Sequence, residues 1–322
     1  MKAIMVHEFG GPEVLRYEDR PIPEPGAGEV RVKVEAIGVN FIDTYHRGGL
    51  YKNPLPLALG QEGAGRIVAL GAGVTDFEIG DHVAWKDQFG SYGDEVAIAV
   101  AKLVPVPEGV SSQDAAATML QGMTAHYLSH STFPLQEGNA CLIHAGAGGV
   151  GRLLIQMAKM RGARVLATAG NEEKAQLARE AGADEVVLYR QDDFAEAARR
   201  FTGGKGLDVV YDGVGKDTFD KGLTALRPRG MMVLFGQSSG PVPPLDPQIL
   251  NARGSLFLTR PVLAAYTLDR AELLWRAKDL FGWIAEGTLK LHIGATYPLA
   301  EAAQAHRDLE GRKTTGKVVL IP

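Results

Sequence analysis

A single cysteine, Cys141, stands in the 322 residues, so no intramolecular disulfide and no cysteine-rich metal lobe can form. It sits in the apolar run Ala140-Cys-Leu-Ile143, where a buried, inert thiol is expected rather than a nucleophile. Neither sign of charge is in excess: 34 Lys and Arg against 38 Asp and Glu leave a net charge of -4. No broad attraction to nucleic acid or to an anionic membrane follows from that balance. Long hydrophobic runs are missing too, and none approaches the roughly 18 residues of a membrane span. The opening Met1-Lys-Ala-Ile-Met-Val6 continues into polar residues and reads as a strand rather than a signal peptide. A cytoplasmic protein is expected. Repeats and low-complexity segments are absent, and the eight histidines are scattered without metal-ligand spacing.

What is present is the composition of a globular chain, 45% hydrophobic and 22% charged, with a length that suggests about two domains. The first part, to about residue 115, is strand-rich. Val30-Arg-Val-Lys-Val-Glu35 alternates with period two, and 65–70, 82–85 and 92–99 are similar runs between Gly, Pro and Asp turns. From Asn139 strands and helices alternate, which predicts a doubly wound parallel sheet. Its strands are expected at 140–144, 164–168, 185–189, 207–211, 230–235 and 255–259. The intervening helices are expected at 150–161, 172–181, 192–201 and 217–226. A long helix over 269–285 and short strands at 296–299 and 317–321 follow. These last pieces are expected to return to the first domain and make it discontinuous: 1–115, 116–262 for the α/β domain, and 263–322.

The chemistry begins at His144-Ala-Gly-Ala-Gly-Gly-Val-Gly151. A strand precedes this turn and a helix follows it, the arrangement that sets a pyrophosphate against a helix N-terminus. Gly146 is expected to permit the turn, Gly148 the approach of the phosphates, and Gly151 close packing of helix on strand. NAD-binding versions carry an acidic residue at the end of the second strand to grip the ribose 2′-hydroxyl. Here that place is Ala169-Gly170-Asn171, with no carboxylate, and Lys174 comes one helical turn later. Tyr189 and Arg190 end the neighbouring strand. NADP is therefore expected over NAD.

With these motifs in hand, the chain resembles the medium-chain dehydrogenase/reductase superfamily over nearly its whole length. The carriers are Gly38-Val-Asn-Phe-Ile-Asp43, Gly60-Gln-Glu-Gly-Ala-Gly65, Gly80-Asp-His-Val83, the glycine turn and Tyr211-Asp-Gly-Val-Gly215. The resemblance implies a Rossmann domain beside a GroES-like catalytic domain. In the zinc alcohol dehydrogenases of that superfamily two cysteines and a histidine hold catalytic zinc. The matching positions are Asn40, Gln61 and Gln121, none a usual zinc ligand, and no metal site is expected. Without a Lewis acid, the acceptor must need less activation, as a quinone or an activated alkene does.

Among zinc-free branches the chain looks like the NADPH:quinone oxidoreductases related to zeta-crystallin. The carriers are Asn40-Phe-Ile-Asp-Thr-Tyr45, Gly49-Leu-Tyr51, Phe235-Gly-Gln-Ser-Ser-Gly240, Gly254-Ser-Leu-Phe257 and Thr259-Arg-Pro261. By this resemblance Asn40, Asp43 and Thr124 lie near the nicotinamide, and the amides of Gly149 and Val150 receive the pyrophosphate. Gly170, Lys174, Tyr189 and Arg312 surround the adenosine phosphate. Phe235, Gly236, Ser238, Thr259 and Arg260 line the far side of the nicotinamide half. Tyr45 and Tyr51 flank the acceptor, and Tyr51 or water supplies the proton. Asn40 and Asp43 read equally well as a turn-stabilising pair, and Glu62 as a structural carboxylate. The implied activity is NADPH-dependent quinone reduction. A 2-alkenal or enone reductase, or a non-enzymatic NADPH-binding protein of crystallin or RNA-binding type, are the alternatives. The resemblance also implies a homodimer joined at the apolar edge strand 254–259.

Overall fold

The computed structural model describes residues 1–322. The chain divides into two compact units, Met1–Met123 with Thr267–Pro322, and Thr124–Tyr266.

The first unit opens with β1 (Lys2–Val6), β2 (Leu15–Asp19), β3 (Glu29–Val39), α1 (Phe41–Arg47) and β4 (Leu57–Ala58). Then come β5 (Gly63–Leu70), β6 (His82–Trp85), β7 (Glu95–Ala99), β8 (Leu103–Pro105) and α2 (Ser112–Tyr127), which carries the chain into the second unit. The alternation seen at 30–35 belongs to β3, which runs on to Val39. Val30, Val32 and Val34 point into a core with Ile67, Val83, Val96 and Ile98. Because β3 continues that far, Asn40 falls at the start of α1. The expected strand 92–99 begins only at Glu95; Tyr92 is fully buried in the turn before it.

The second unit holds β9 (Ala140–Ile143), α3 (Gly149–Met160), β10 (Arg164–Ala169), α4 (Glu172–Glu180), β11 (Glu185–Leu188) and α5 (Phe194–Phe201). It continues through β12 (Leu207–Asp212), α6 (Phe219–Ala225), β13 (Leu226–Leu234), α7 (Gln248–Ala252) and β14 (Phe257–Thr259). The expected parallel sheet is present, in the order β11-β10-β9-β12-β13-β14. The order reverses between β9 and β12, the switch point outside which open α/β sheets hold their ligands. Leu142, Leu166 and Val210 form the core with apolar residues of α5 and α6.

The chain returns to the first unit with α8 (Arg270–Ala285), β15 (Ile293–Pro298), α9 (Ala302–Glu310) and β16 (Lys317–Ile321). β16 pairs antiparallel with β3, Val318 opposite Val39 and Leu320 opposite Ile37. Two segments nearly 300 residues apart in sequence thus meet at the residue before Asn40. The completed seven-stranded sheet reads β15-β16-β3-β5-β6-β8, with β7 also on β3.

Candidate active site

The glycine turn joins β9 to α3. His144 N–H donates to the Tyr211 carbonyl and Gly146 N–H to the Thr168 carbonyl, so the turn is tied to both neighbouring strands. None of Gly146, Gly148 and Gly151 has a positive φ; the left-handed residue is Ala145, at 53°. The expectation that Gly146 supplies backbone freedom is therefore corrected. Gly146 answers to crowding instead, and Gly151 to the close packing expected of it. A Cβ on Gly146 would lie 2.9 Å from the Ala167 Cβ, and one on Gly151 would overlap the Ala145 carbonyl oxygen. Gly148 starts α3 with no side-chain cap, and no acidic residue occupies the first turn. By contrast α4 and α5 are capped by Asn171 and Asp193 and carry Glu172, Glu173 and Glu196 in their first turns. The amides of Gly149 and Val150 thus open a helix whose positive end meets no acid of its own.

Apart from Lys174 and Thr124, which lie on helices, the other residues expected on this unit sit at or just beyond strand carboxyl ends. Gly170 follows β10; a Cβ there would come 2.9 Å from the Tyr189 hydroxyl, which follows β11. Lys174 lies in the first turn of α4, its amide bonded to the Asn171 side chain. Phe235 and Gly236 donate backbone N–H groups to the Asp212 carbonyl, and Ser238 to that of Gly213. Asp212 is fully buried, and its Oδ1 accepts from the amides of Val214 and Gly215, which sets the loop after β12. Thr259 ends β14 and Arg260 follows it. Thr124 is buried on α2. Arg312 belongs to the other unit, in a left-handed turn after α9.

In the first unit Asn40 is 3% exposed at the start of α1. Its Nδ2 donates to Glu62 Oε2 at 2.6 Å; its Oδ1 accepts from Lys317 Nζ at 2.9 Å and from Gln121 Nε2 at 3.3 Å. Lys317 also pairs directly with Glu62, which is fully buried. Gln61 Nε2 faces His46 Nε2 at 2.9 Å, and Asn53 Nδ2 faces His46 Nδ1 at 2.7 Å. Burial lowers the His46 pKa. The carboxamides at 40, 61 and 121 are poor ligands for zinc, which takes thiolate, imidazole or carboxylate. No three His, Cys, Asp or Glu side chains gather where a metal ion could be held. The residues present do not fit a zinc site.

Asp43, in the first turn of α1, accepts the Asn40 N–H at 2.8 Å and the Tyr92 hydroxyl at 2.9 Å on Oδ2; Oδ1 has no partner. The turn-stabilising role is thus realised. Tyr92 Oη lies 3.2 Å from His306 Nε2, His306 Nδ1 lies 3.0 Å from Arg47, and Arg47 forks onto Glu310 at 2.7 and 3.0 Å. Burial raises the Asp43 pKa to about 7 against the opposing pull of its Asn40 and Tyr92 bonds. Burial, and next the Arg47 charge, lower that of His306 to about 3. With His306 held neutral, its Nδ1 accepts from Arg47 and its Nε2–H points at Tyr92. The row is a set of fixed donors directed at Asp43, not a proton conduit. Sequence reasoning missed Lys317, Tyr92 and His306. Lys317 had a signal, a charged residue heading the apolar Val318-Val-Leu-Ile321; the others had none.

Tyr45 and Tyr51 meet edge to face with ring centroids 5.5 Å apart, and Tyr51 also meets the His46 ring at 5.6 Å. The two expected acceptor-flanking rings therefore come together, and Tyr51 also packs on His46.

A six-stranded parallel sheet with a switch point, joined to a β-rich unit that takes back the chain's end, defines a medium-chain dehydrogenase/reductase. Residues 26–132 match the alcohol dehydrogenase GroES-like domain and residues 149–267 the zinc-binding dehydrogenase domain. The chain is 46% identical over 323 residues to a quinone oxidoreductase of Pseudomonas aeruginosa, covering 100% of this chain and 99% of that protein. It is 43% identical to a 2-haloacrylate reductase of Burkholderia, covering 99% and 98%. The solved structure of Escherichia coli quinone oxidoreductase complexed with NADPH superposes with a TM-score of 0.98, at 42% identity and full coverage of both chains. The chain belongs to the quinone oxidoreductase branch of the medium-chain dehydrogenase/reductase superfamily.

Proposed function

We propose that this protein is an NADPH-dependent oxidoreductase that reduces quinones without zinc. The observation that carries the reading is the start of α3: uncapped, free of acid, and placed by the glycine turn at the switch point of the sheet. That is a seat for a pyrophosphate. The absence of a carboxylate at 169–171, where β10 ends, favours the 2′-phosphate, for which Gly170, Lys174 and Tyr189 are the receiving residues, and the family resemblance adds Arg312 to them. The NADPH complex of the Escherichia coli relative supports the same cofactor.

NADPH, when bound, supplies the hydride. The chain's residues do the rest. The amides of Gly149 and Val150 hold the pyrophosphate. In the second unit Thr124, Phe235, Gly236, Ser238, Thr259 and Arg260 are assigned to the nicotinamide half; in the first, Asn40 and Asp43 carry the same assignment. Tyr45 and Tyr51 flank the acceptor, and Tyr51 holds a hydroxyl proton for the reduced product. A donor set that does not fit zinc directs the chemistry to acceptors that take a hydride unaided. The names of the relatives point to quinones first.

The 2-haloacrylate reductase keeps an activated alkene as the second reading. Initial rates of NADPH and NADH oxidation with a panel of quinones, enones and haloacrylates decide between them. Quinone-dependent oxidation preferring NADPH is expected; turnover of alkenes alone would transfer the assignment to the second reading. Tyr51→Phe is expected to lower turnover about tenfold or more, in line with the loss of a positioned acid. Unchanged turnover would remove Tyr51 from the proton's path. We further assign the apolar edge strand β14 to a homodimer contact, and the protein to the cytoplasm.

A further inference from the structure

β16 begins with Lys317, the one charged residue of Lys317–Ile321, and it is 3% exposed. The pairing of Val318 with Val39 brings it beside Asn40. Its ammonium donates to Asn40 Oδ1 and pairs with Glu62, while Asn40 Nδ2 donates to that same carboxylate. The carboxamide is therefore read at both ends, oxygen by a cation and nitrogen by an anion. A flip of this amide would set its N–H groups against an ammonium and its oxygen against a carboxylate. The pocket is built for the carboxylate: a Cβ on Gly38 would overlap it, and its second oxygen takes the Leu120 N–H. A buried ion pair is a poor source of stability, since an apolar pair of the same shape does as well or better. Two charges kept here point to orientation rather than strength.

We propose that Lys317 is a positioning residue. With Glu62 it locks the carboxamide of Asn40, whose two N–H groups go to Glu62 and the Gly38 carbonyl and whose oxygen takes Lys317 and Gln121, and so fixes the start of α1, the helix that carries Asp43 and Tyr45. This rests on the assignment of Asn40, Asp43 and Tyr45 to the cofactor and acceptor.

The test compares Asn40→Ala, Lys317→Met and the double variant Lys317→Met/Glu62→Gln. Thermal midpoint, NADPH Kd by nicotinamide fluorescence, and kcat and KM for a quinone are measured for each. Lys317→Met alone leaves a carboxylate buried without its cation and is expected to lower stability together with activity. The double variant removes both charges and is expected to recover the wild-type midpoint. Its NADPH binding and kcat should stay about tenfold down, the size of effect that outer partners have on the groups they orient. A double variant with wild-type midpoint, Kd and kcat, beside an impaired Asn40→Ala, would show that the pair serves stability alone and overturn the inference. An Asn40→Ala that binds NADPH and turns over like wild type would remove Asn40 from the site, and the inference with it. A wild-type protein that fails to bind NADPH would overturn the proposed function itself, a result distinct from both.

Discussion

Asp43 and His306 sit in one buried hydrogen-bonded row, and burial drives their titrations in opposite directions. Asp43 binds its proton more tightly folded than unfolded, with its pKa raised from 3.8 to about 7. Its contribution is full below about pH 4 and is lost as pH rises through 7. His306, lowered from 6.5 to about 3, contributes stability above about pH 6.5 that is lost as pH falls toward 3. In the window they share the slopes oppose, so the wild type conceals both. Asp43→Asn keeps an acceptor for the Asn40 N–H and the Tyr92 hydroxyl but cannot titrate. Urea unfolding across pH 4 to 7 should show the variant gaining on the wild type by about 1.4 kcal/mol per pH unit. A difference that stays flat with pH would remove Asp43 as the titrating group. Neither shift was legible in the sequence. Asp43 was visible as a turn residue, but its burial depends on Tyr92 and on His306, which arrives from α9.

At the scale of elements, the proposed choice of NADPH over NADH turns on the junction of β10 with α4. An acid placed there would repel a 2′-phosphate and could grip a 2′-hydroxyl. Gly170→Asp is expected to weaken NADPH binding by about tenfold or more while NADH binding holds or improves, as fluorescence titration of both would show. The new Cβ meets the end of Tyr189, an exposed side chain able to give way. Equal weakening of both cofactors would mean the change acts through packing and not through charge. The elements of this unit were largely legible: α4 is the expected helix 172–181 less its last residue, and β10 is the expected strand 164–168 plus one residue. Local signals sufficed because each βα step has its own strand run and apolar helix face, with side-chain caps on α4 and α5. The glycine turn was legible in place, and so was the close packing at Gly151; at Gly146 the cause differs, since crowding against Ala167 rather than backbone freedom excludes a side chain.

At the scale of the molecule, β14 ends the parallel sheet with an unpaired edge, and Phe257 and Leu258 stand 57% and 37% exposed. Paired edge to edge with a second copy, the strand would extend the sheet and cover both side chains. Phe257→Lys is expected to convert the proposed homodimer to monomer in sedimentation velocity, with secondary structure unchanged by circular dichroism. A monomeric wild type, or a variant that still sediments as a dimer, would reject this contact.

The amino-acid sequence by itself determined the alternating βα rhythm, the glycine turn, the missing acid after β10 and the carboxamides at 40, 61 and 121. Each is a local property, a period or a residue type at a short spacing. Only the tertiary structure decided what surrounds those carboxamides. Lys317 reaches Asn40 because β16 pairs with β3, and His306 reaches Tyr92 because α9 returns to the first unit. No local pattern records such meetings, since they depend on strand register and on burial, which exist only once the chain has closed on itself.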